Sequence, residues 1–285
     1  MNRRAFLKAI GSMALLPLLP HRLWARTSFT RRRPSDASWP SQAAWKRLND
    51  KVGGNLIPVE FPLSPSDPSR AAAALVSTNL RNPYYIGDQP GLTQTLGWVD
   101  AWATKPSAYA VAARNAHDIA EAVNFAREND LRLVVKGGGH SYEGTSNAPD
   151  SLLIWTRHMN DIAMHDAFVP QGCEQAVQPQ PAVTLGAGTI GMQAYNAVTT
   201  KGGKYVQGGG CTTVCLGGLV QSGGFGSFSK HYGTAAGGLL EARDHFVPVR
   251  AGHAAARRPD LFRHAGRRRA GQARRQARRA RRRRR

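Results

Sequence analysis

Apolar positions in the middle of the chain change between strand-like and helix-like spacing. Residues 109–112 and 131–135 are short apolar runs, which are typical of buried strands. Between them, apolar residues recur at the three- and four-residue spacing of one helix face: Ile119, Ala122, Val123 and Ala126. A β–α–β unit is therefore predicted here.

Polar residues mark both ends of the predicted helix. Asn115 can cap the first turn, and Asp118, three residues later, suits the return bond of a capping box. Asn129 suits a left-handed stop at the other end.

Further short elements are predicted around this unit. Residues 152–155 and 183–186 indicate two more strands, and residues 190–198 have the apolar spacing of another helix at Ile190, Ala194, Ala197 and Val198. The Ala-rich residues 69–80, opened by Asp67 and Pro68, predict a helix, and the aromatic residues 83–97 predict an irregular packed segment. Strands that alternate with helices indicate an α+β or α/β sheet domain.

The formal net charge of +21 is concentrated at the two ends of the chain. Residues 257–285 contain 15 Arg and one Asp, and residues 1–33 contain eight Lys or Arg and no acidic residue, which leaves residues 34–256 with a net charge of −1. A domain that binds nucleic acid carries its basic patch on the folded body. The distribution therefore argues against nucleic acid as a partner.

The first 25 residues have the layout of an export signal. Arg3 and Arg4 form a twin-arginine pattern, residues 9–20 are an apolar run, and Ala25 ends a candidate cleavage site. Because the run is too short to span a bilayer, we expect a cleaved signal peptide, the twin-arginine translocase as an export partner, and a periplasmic or extracellular location. Residues 26–99 are then a linker and lead-in segment, and no membrane span is expected.

Three successive glycines follow the predicted strand at residues 131–135. Gly137, Gly138 and Gly139 carry no Cβ, so consecutive backbone N–H groups can face a phosphate. Hydroxyl groups downstream can add donors, namely those of Ser141, Thr145 and Ser146. The spacing matches neither the dinucleotide fingerprint nor the Walker sequence. From the residues alone, a phosphate-binding loop and an ordinary glycine-rich turn with a solvent-facing His140 both stay open.

The sequence from Val134 to Tyr142 resembles the pyrophosphate loop of flavoproteins related to vanillyl-alcohol oxidase, p-cresol methylhydroxylase (PCMH) and berberine bridge enzyme (BBE). The similarity continues in order through residues 151–162 and 183–188 and returns over residues 210–233. It implies an α+β, PCMH-type, two-subdomain FAD-binding fold. We place this domain at residues 100–256, with its C-terminal end incomplete.

The resemblance also implies a covalent flavin. In that family the histidine of this loop is bonded to the 8α-methyl carbon of FAD, which assigns this role to His140. A neutral imidazole nitrogen is a good nucleophile for the electrophilic methide that the oxidised flavin can form. The alternative is a bystander histidine beside a noncovalent flavin.

The chain contains three cysteines, Cys173, Cys211 and Cys215. Cys211 matches the position at which relatives of berberine bridge enzyme attach a thiolate to flavin C6. Cys215 stands where many members have glycine, so a Cys211–Cys215 disulfide and a plain buried thiol are alternatives to the second flavin bond. Cys173 lies in a polar stretch that predicts a loop.

The predicted FAD-binding residues lie in two glycine-rich clusters. The first cluster comprises Lys136, Gly137, Gly138, Gly139, His140, Ser141, Tyr142, Thr145 and Ser146. The second cluster comprises Gly210, Cys211, Val214, Gly217, Gly218, Gly223, Gly224 and Gly226. The other histidines have no metal-ligand spacing, and we expect no metal site.

As a function, the resemblance implies an FAD-dependent oxidoreductase that oxidises small alcohol- or sugar-type substrates with O2 as the acceptor. The family's catalytic base lies later in the chain than the matched region, so we assign no catalytic residue and expect a protein crippled by loss of its substrate domain. A noncatalytic flavin-binding fragment and a basic-tailed interaction protein are the alternatives.

Residues 257–285 depart from the family. Residues 259–262 still match it, but from Arg267 onward only Arg, Ala, Gln and Gly occur, which predicts a disordered segment. We favour a truncated or frame-shifted end over a functional basic tail that binds an acidic polymer or a membrane surface. The DNA sequence would distinguish the two.

Overall fold

The structure, a computed structural model, describes residues 30–61 and 78–243 of the 285-residue chain. The predicted signal peptide, the start of the predicted helix at 69–80 and the Arg-rich tail lie outside these residues. The end of that predicted helix falls in a 3-10 turn at Thr78–Arg81. Within the described ranges, no helix is long and apolar enough to cross a membrane.

Short strands and helices alternate along the described chain. The strands are β1 (Leu56–Pro58), β2 (Gly97–Trp98), β3 (Trp102–Ala103), β4 (Tyr109–Ala112), β5 (Arg132–Lys136), β6 (Ser151–Trp155), β7 (Ile162–Phe168) and β8 (Gln180–Leu185). The helices are α1 (Gln42–Lys51), α2 (Pro83–Gly87), α3 (Ala116–Glu128), α4 (Gly191–Tyr195), α5 (Leu216–Gln221) and α6 (Ser229–Tyr232). The predicted α+β class is confirmed.

A four-stranded sheet in the order β1-β4-β6-β5 carries the site described below. Strands β4 and β5 both run parallel to β6, and β1 pairs antiparallel with β4. The predicted β–α–β unit is therefore present as β4–α3–β5, but β6 lies between its two strands. Every residue of β6 is buried, which is why its sequence is apolar without alternation.

Helix α3 begins and ends close to the predicted residues. The side chain of Asn115 accepts from the backbone N–H of Asp118 at 3.0 Å, and Asp118 accepts from the N–H of Arg114 at 2.9 Å rather than from Asn115 itself. The left-handed residue after the helix is Asp130, with φ 52°, whereas Asn129 has φ −109°. The predicted left-handed stop at Asn129 was therefore wrong by one residue.

Helices α1 and α3 cover one face of the sheet. Trp45 of α1 stacks on Tyr109 with the ring centroids 4.1 Å apart, and Leu48 is fully buried beside it. Val111 and Leu152 contribute from the strands. Burial of these side chains stabilises the sheet from which the loop after β5 extends.

Two predictions outside the sheet needed correction. Residues 83–97 are not irregular throughout, because Asn82 caps the short helix α2 and β2 begins at Gly97. The predicted helix at residues 190–198 is α4 followed by a π-helical turn at Asn196–Lys201. The predicted strand at 183–186 falls in β8, which forms an antiparallel hairpin with β7.

Candidate functional site

The first glycine cluster forms a tight loop at the end of β5. Gly139 has φ +79°, a backbone conformation that favours glycine. Within the described part of the chain, the backbone N–H groups of Gly138, Gly139 and His140 donate no hydrogen bond. Three consecutive unbonded N–H groups can bind an anion such as a phosphate.

Two of these glycines are required by packing. A Cβ on Gly137 would lie 2.6 Å from Cβ of Cys215, and a Cβ on Gly138 would lie 2.7 Å from the carbonyl oxygen of Thr213. We predicted that the glycines serve approach to a ligand. The structure shows that they also let the segment 211–215 lie directly against the loop, so the two glycine clusters form one site.

His140 joins the two clusters through its side chain. Its Nε2 lies 3.0 Å from Oγ1 of the buried Thr213. Burial lowers the pKa of His140, and a hydrogen bond with the Thr213 backbone opposes this shift. Because the ordinary pKa of histidine is already below 7, the ring is neutral at neutral pH and has a lone pair available as a nucleophile.

Lys136 is committed to the protein interior. The residue is 2% exposed, and its ammonium donates to the carbonyl oxygens of Gln89, Pro90 and Leu92. Burial lowers the pKa of Lys136 to about 7. Since three carbonyls accept from its three donors, the ammonium ties the lead-in segment to the loop. The place of Lys136 in the predicted FAD-binding set stays a prediction.

The hydroxyl groups of the first cluster shape the turn after His140. Oγ of Ser141 lies 2.7 Å from Oγ1 of Thr145 and accepts from the N–H groups of Glu143 and Thr145. Ser146 is buried, and its Oγ accepts from the N–H of Ser141 at 3.4 Å. Tyr142 is 70% exposed and presents its ring to solvent. These groups therefore hold the loop in place, and Tyr142 is left accessible.

The lead-in segment supplies a wall of the site that the sequence analysis missed. The N–H of Gln94 donates to the carbonyl of Gly139 at 2.9 Å. The hydroxyl of Tyr84, on α2, lies 3.0 Å from Oγ1 of Thr212. The helix start at Asn82–Pro83 was the available signal, but nothing in the local sequence indicates which loop this segment contacts.

The second cluster contains open and closely packed glycines. No atom lies within 4 Å of a Cβ built on Gly210, Gly218 or Gly223, so these positions leave open space. In contrast, Gly217, Gly224 and Gly226 pack against neighbouring atoms, and a Cβ on Gly226 would lie 2.1 Å from the carbonyl oxygen of Gly208. The open positions are the ones that can admit a ligand, whereas the packed ones are required by the fold.

The three cysteines are free thiols. Cys211 is exposed, and Cys215 is buried with its Sγ donating to the carbonyl of Gly188 at 3.3 Å. Burial raises the pKa of Cys215 to about 11. Of the alternatives stated above, the structure has the plain buried thiol at Cys215 and no Cys211–Cys215 disulfide. Val214 is half-buried between them.

Two further histidines among the described residues have partners of their own. His158 packs edge-on against Trp155, and His165 lies 2.9 Å from the hydroxyl of Thr184. Across the described ranges, no group of three or more His, Cys, Asp or Glu side chains could hold a metal ion. The arrangement around His140 therefore combines a loop of unbonded N–H groups with a neutral imidazole, which suits a phosphate-containing ligand.

Comparison with known proteins identifies the class. Residues 107–243 match the FAD binding domain family. The FAD-linked oxidoreductase malF of Malbranchea aurantiaca is 32% identical over 239 residues, which cover 76% of this chain and 40% of malF. The FAD-linked oxidoreductase easE of Claviceps fusiformis is 32% identical over 263 residues, covering 82% of this chain and 44% of easE.

A solved structure has the same fold. The VAO-type flavoprotein MtVAO615 of Myceliophthora thermophila C1 aligns with a TM-score of 0.61 and 28% identity, covering 73% of this chain and 40% of that one. The VAO-type flavoprotein MtVAO713 of the same organism aligns with a TM-score of 0.63 at 21% identity, covering 72% of this chain and 40% of the MtVAO713 chain. This second alignment supports the same fold.

The chain belongs to the FAD-binding oxidoreductases with a PCMH-type FAD-binding domain, as the sequence resemblance predicted. It spans less than half the length of the relatives that it matches.

Proposed function

We propose that this chain holds FAD for an oxidoreductase that oxidises small alcohol- or sugar-type substrates with O2 as the acceptor. FAD, when bound, supplies two-electron redox chemistry. The observation that carries the proposal is the row of unbonded N–H groups at Gly138, Gly139 and His140, which can bind the pyrophosphate. The open positions at Gly210 and Gly218 leave room for the rest of the cofactor.

We further propose that FAD is attached covalently to His140. The half-buried, neutral imidazole supports this assignment, because a protonated ring has no lone pair to form the bond. The net change replaces one C–H bond of the 8α-methyl group and one imidazole N–H bond by a C–N bond. The two protons and two electrons released reduce O2 to H2O2, so the reaction balances.

Cys211 is the candidate for a second bond, to flavin C6. Forming it would replace one C–H bond of the flavin and the S–H bond of the thiol by a C–S bond, and the two protons and two electrons released would reduce a second O2 to H2O2. Its thiol is exposed and free, whereas the neighbouring Cys215 is buried and hydrogen-bonded. The thiolate is the reactive form of cysteine, and burial disfavours it at Cys215. Of the two cysteines in this segment, Cys211 is therefore the one that can react.

Acid precipitation of the full chain tests these assignments. We expect yellow, fluorescent flavin to stay with the denatured wild-type polypeptide, and less to stay with His140→Ala or Cys211→Ala than with the wild type. His165→Ala and Cys173→Ala are matched controls outside the site and should retain the wild-type amount. If the wild-type protein stayed colourless after incubation with FAD, the whole proposal would be contradicted. If the wild type bound flavin but released all of it on acid denaturation, only the covalent part would be contradicted.

A noncatalytic flavin-binding role is the second candidate, because the family match over residues 107–243 is to an FAD binding domain. An H2O2-coupled assay on the flavin-loaded protein, with a panel of alcohols and sugars, separates the two. Turnover with any of these substrates supports the oxidase. Bound flavin that these substrates never reduce supports the noncatalytic role.

We also propose export by the twin-arginine translocase to the periplasm or the cell exterior. The support is the sequence of residues 1–25. That route carries folded cargo, which suits a protein that acquires its cofactor first. Cell fractionation should find the wild type outside the cytoplasm and the double variant Arg3→Lys, Arg4→Lys inside it. Equal distribution of both would contradict the proposal.

A further inference from the structure

Helix α2 directs two polar side chains toward the later part of the chain. Tyr84 lies within the helix and Asp88 at its C-terminal end, and this spacing of four residues places them on one face. The hydroxyl of Tyr84 lies 3.0 Å from Oγ1 of Thr212, between Cys211 and Thr213 in the second cluster. The carboxylate of Asp88 accepts from Nε of Arg157 at 2.8 Å, and Nη1 of Arg157 donates to the carbonyl of Gly188 at 3.4 Å. Both side chains therefore lead to segments that follow β8.

The same helix is anchored to the first glycine cluster. The backbone N–H of Gln94 donates to the carbonyl of Gly139 at 2.9 Å, and the side-chain amide of Gln94 donates to the carbonyl of Pro83, the first residue of α2, at 2.6 Å. The ammonium of Lys136 binds three carbonyls within residues 89–92, directly after the helix. Helix α2 is therefore joined to the first cluster through these anchors and to the second cluster through its own side chains.

The groups proposed to hold FAD belong to segments that lie far apart in sequence. The unbonded N–H groups are at residues 138–140, and the open glycine positions are at Gly210 and Gly218. When such segments move independently in the free protein, the cofactor has to order them, and part of the binding free energy is lost. Contacts that fix the segments beforehand preserve the affinity. The bond between Tyr84 and Thr212 is such a contact, because it joins the anchored helix to the second cluster.

We propose that Tyr84 is a positioning residue that fixes the second glycine cluster relative to the first, so that the FAD site is formed before the cofactor binds. This inference rests on the FAD binding proposed above. Tyr84 acts through Thr212, because its hydroxyl contacts that side chain. The substitution Tyr84→Phe removes the hydroxyl and keeps the ring, so it deletes this contact without leaving a large cavity.

A double-mutant cycle on FAD affinity tests the contact in the full chain. The background carries His140→Ala and Cys211→Ala, so that the cofactor stays noncovalent and its dissociation constant can be measured by fluorescence titration. We expect Tyr84→Phe and Thr212→Val each to weaken FAD binding about two- to fivefold, the range of one neutral hydrogen bond. Because both remove the same bond, the double variant should bind no more weakly than the weaker single variant. Tyr85→Phe is the matched control, since it removes a hydroxyl from the same helix, and it should bind FAD as the background does.

Unchanged affinity in Tyr84→Phe, or losses that add in the double variant, would overturn the inference. Hydrogen–deuterium exchange of the flavin-free protein gives a second readout that needs no cofactor. Residues 211–215 should exchange faster in Tyr84→Phe than in wild type, whereas exchange in α3 should not change. Equal exchange of residues 211–215 in the two proteins would also overturn the inference. Failure of the wild type to bind FAD would contradict the proposed function alone, because the exchange measurement would still show whether Tyr84 fixes this segment.

Discussion

The close contact between the two glycine clusters leads to a prediction at Gly138. In Gly138→Ala, the new Cβ would lie 2.7 Å from the carbonyl oxygen of Thr213 and 3.4 Å from Sγ of Cys215. Carbon and oxygen atoms normally stay more than about 3 Å apart, so one of the two backbone segments must move by several tenths of an ångström. The obstacle is a backbone atom, which cannot rotate away like the end of a side chain.

Overpacking of this kind typically costs about 1–3 kcal/mol. For a domain of this size, each kcal/mol lowers the melting temperature by about 2–4 °C, so we expect a decrease of roughly 2–12 °C in flavin-free protein. Movement of Thr213 would also disturb His140, so covalent flavin should decrease in the same variant.

Thermal unfolding followed by circular dichroism measures the effect, with Gly238→Ala as the matched control. No atom lies within 4 Å of a Cβ on Gly238, and the residue is exposed, so its melting temperature should stay within about 1 °C of wild type. If Gly138→Ala also melted with the wild type, the packing argument for the first glycine cluster would be refuted.

Three further predictions concern other residues of the site. The pKa of Lys136 is lowered from 10.5 to about 7 in the folded protein. Between about pH 7 and pH 10.5 the unfolded chain therefore binds more protons than the folded chain. Over this range Lys136 makes the free energy of unfolding rise with pH. Urea titrations from about pH 7 to pH 10 should therefore show a steeper rise for wild type than for Lys136→Met, and parallel curves would contradict the burial of the ammonium. In flavin-free protein, iodoacetamide should alkylate the exposed Cys211 and leave the buried Cys215 unmodified until the protein unfolds. Mass spectrometry measures the labelling of each cysteine. Equal labelling of the two in the folded protein would contradict the burial of Cys215. Gly224→Ala should lower the free energy of unfolding by about 1–2 kcal/mol, since Gly224 has φ +64° and its Cβ would lie 2.8 Å from Cβ of Ala235; an unchanged urea midpoint would refute this.

Much of the central sheet could be predicted because its signals are local. The apolar run at 109–112 and the helical spacing from Ile119 to Ala126 depend on residues next to one another, and both elements are present. The left-handed residue is Asp130 rather than the predicted Asn129. Both Asn and Asp tolerate that conformation, so the residue types alone do not show which of these adjacent positions adopts it. Likewise, no local pattern indicates that β6 lies between β4 and β5.

The role of Lys136 shows why the rest of the site could not be predicted. Its ammonium is buried on the carbonyls of Gln89, Pro90 and Leu92, more than forty residues away in sequence, and nothing next to Lys136 in the sequence indicates these partners. The contacts of Tyr84 with Thr212 and of Thr213 with His140 span similar or larger distances along the chain.

The amino-acid sequence by itself determined the family, the cofactor class and the position of the candidate attachment residue. The reason is that the glycine loop ending in His140 follows directly from a strand, and its motifs are short and contiguous. Only the tertiary structure decided that the two glycine clusters meet, which glycines leave space and which are closely packed, and which nitrogen of His140 is held. These properties depend on atoms that come into contact when distant segments pack together, and such contacts leave no periodic or local signal in the sequence.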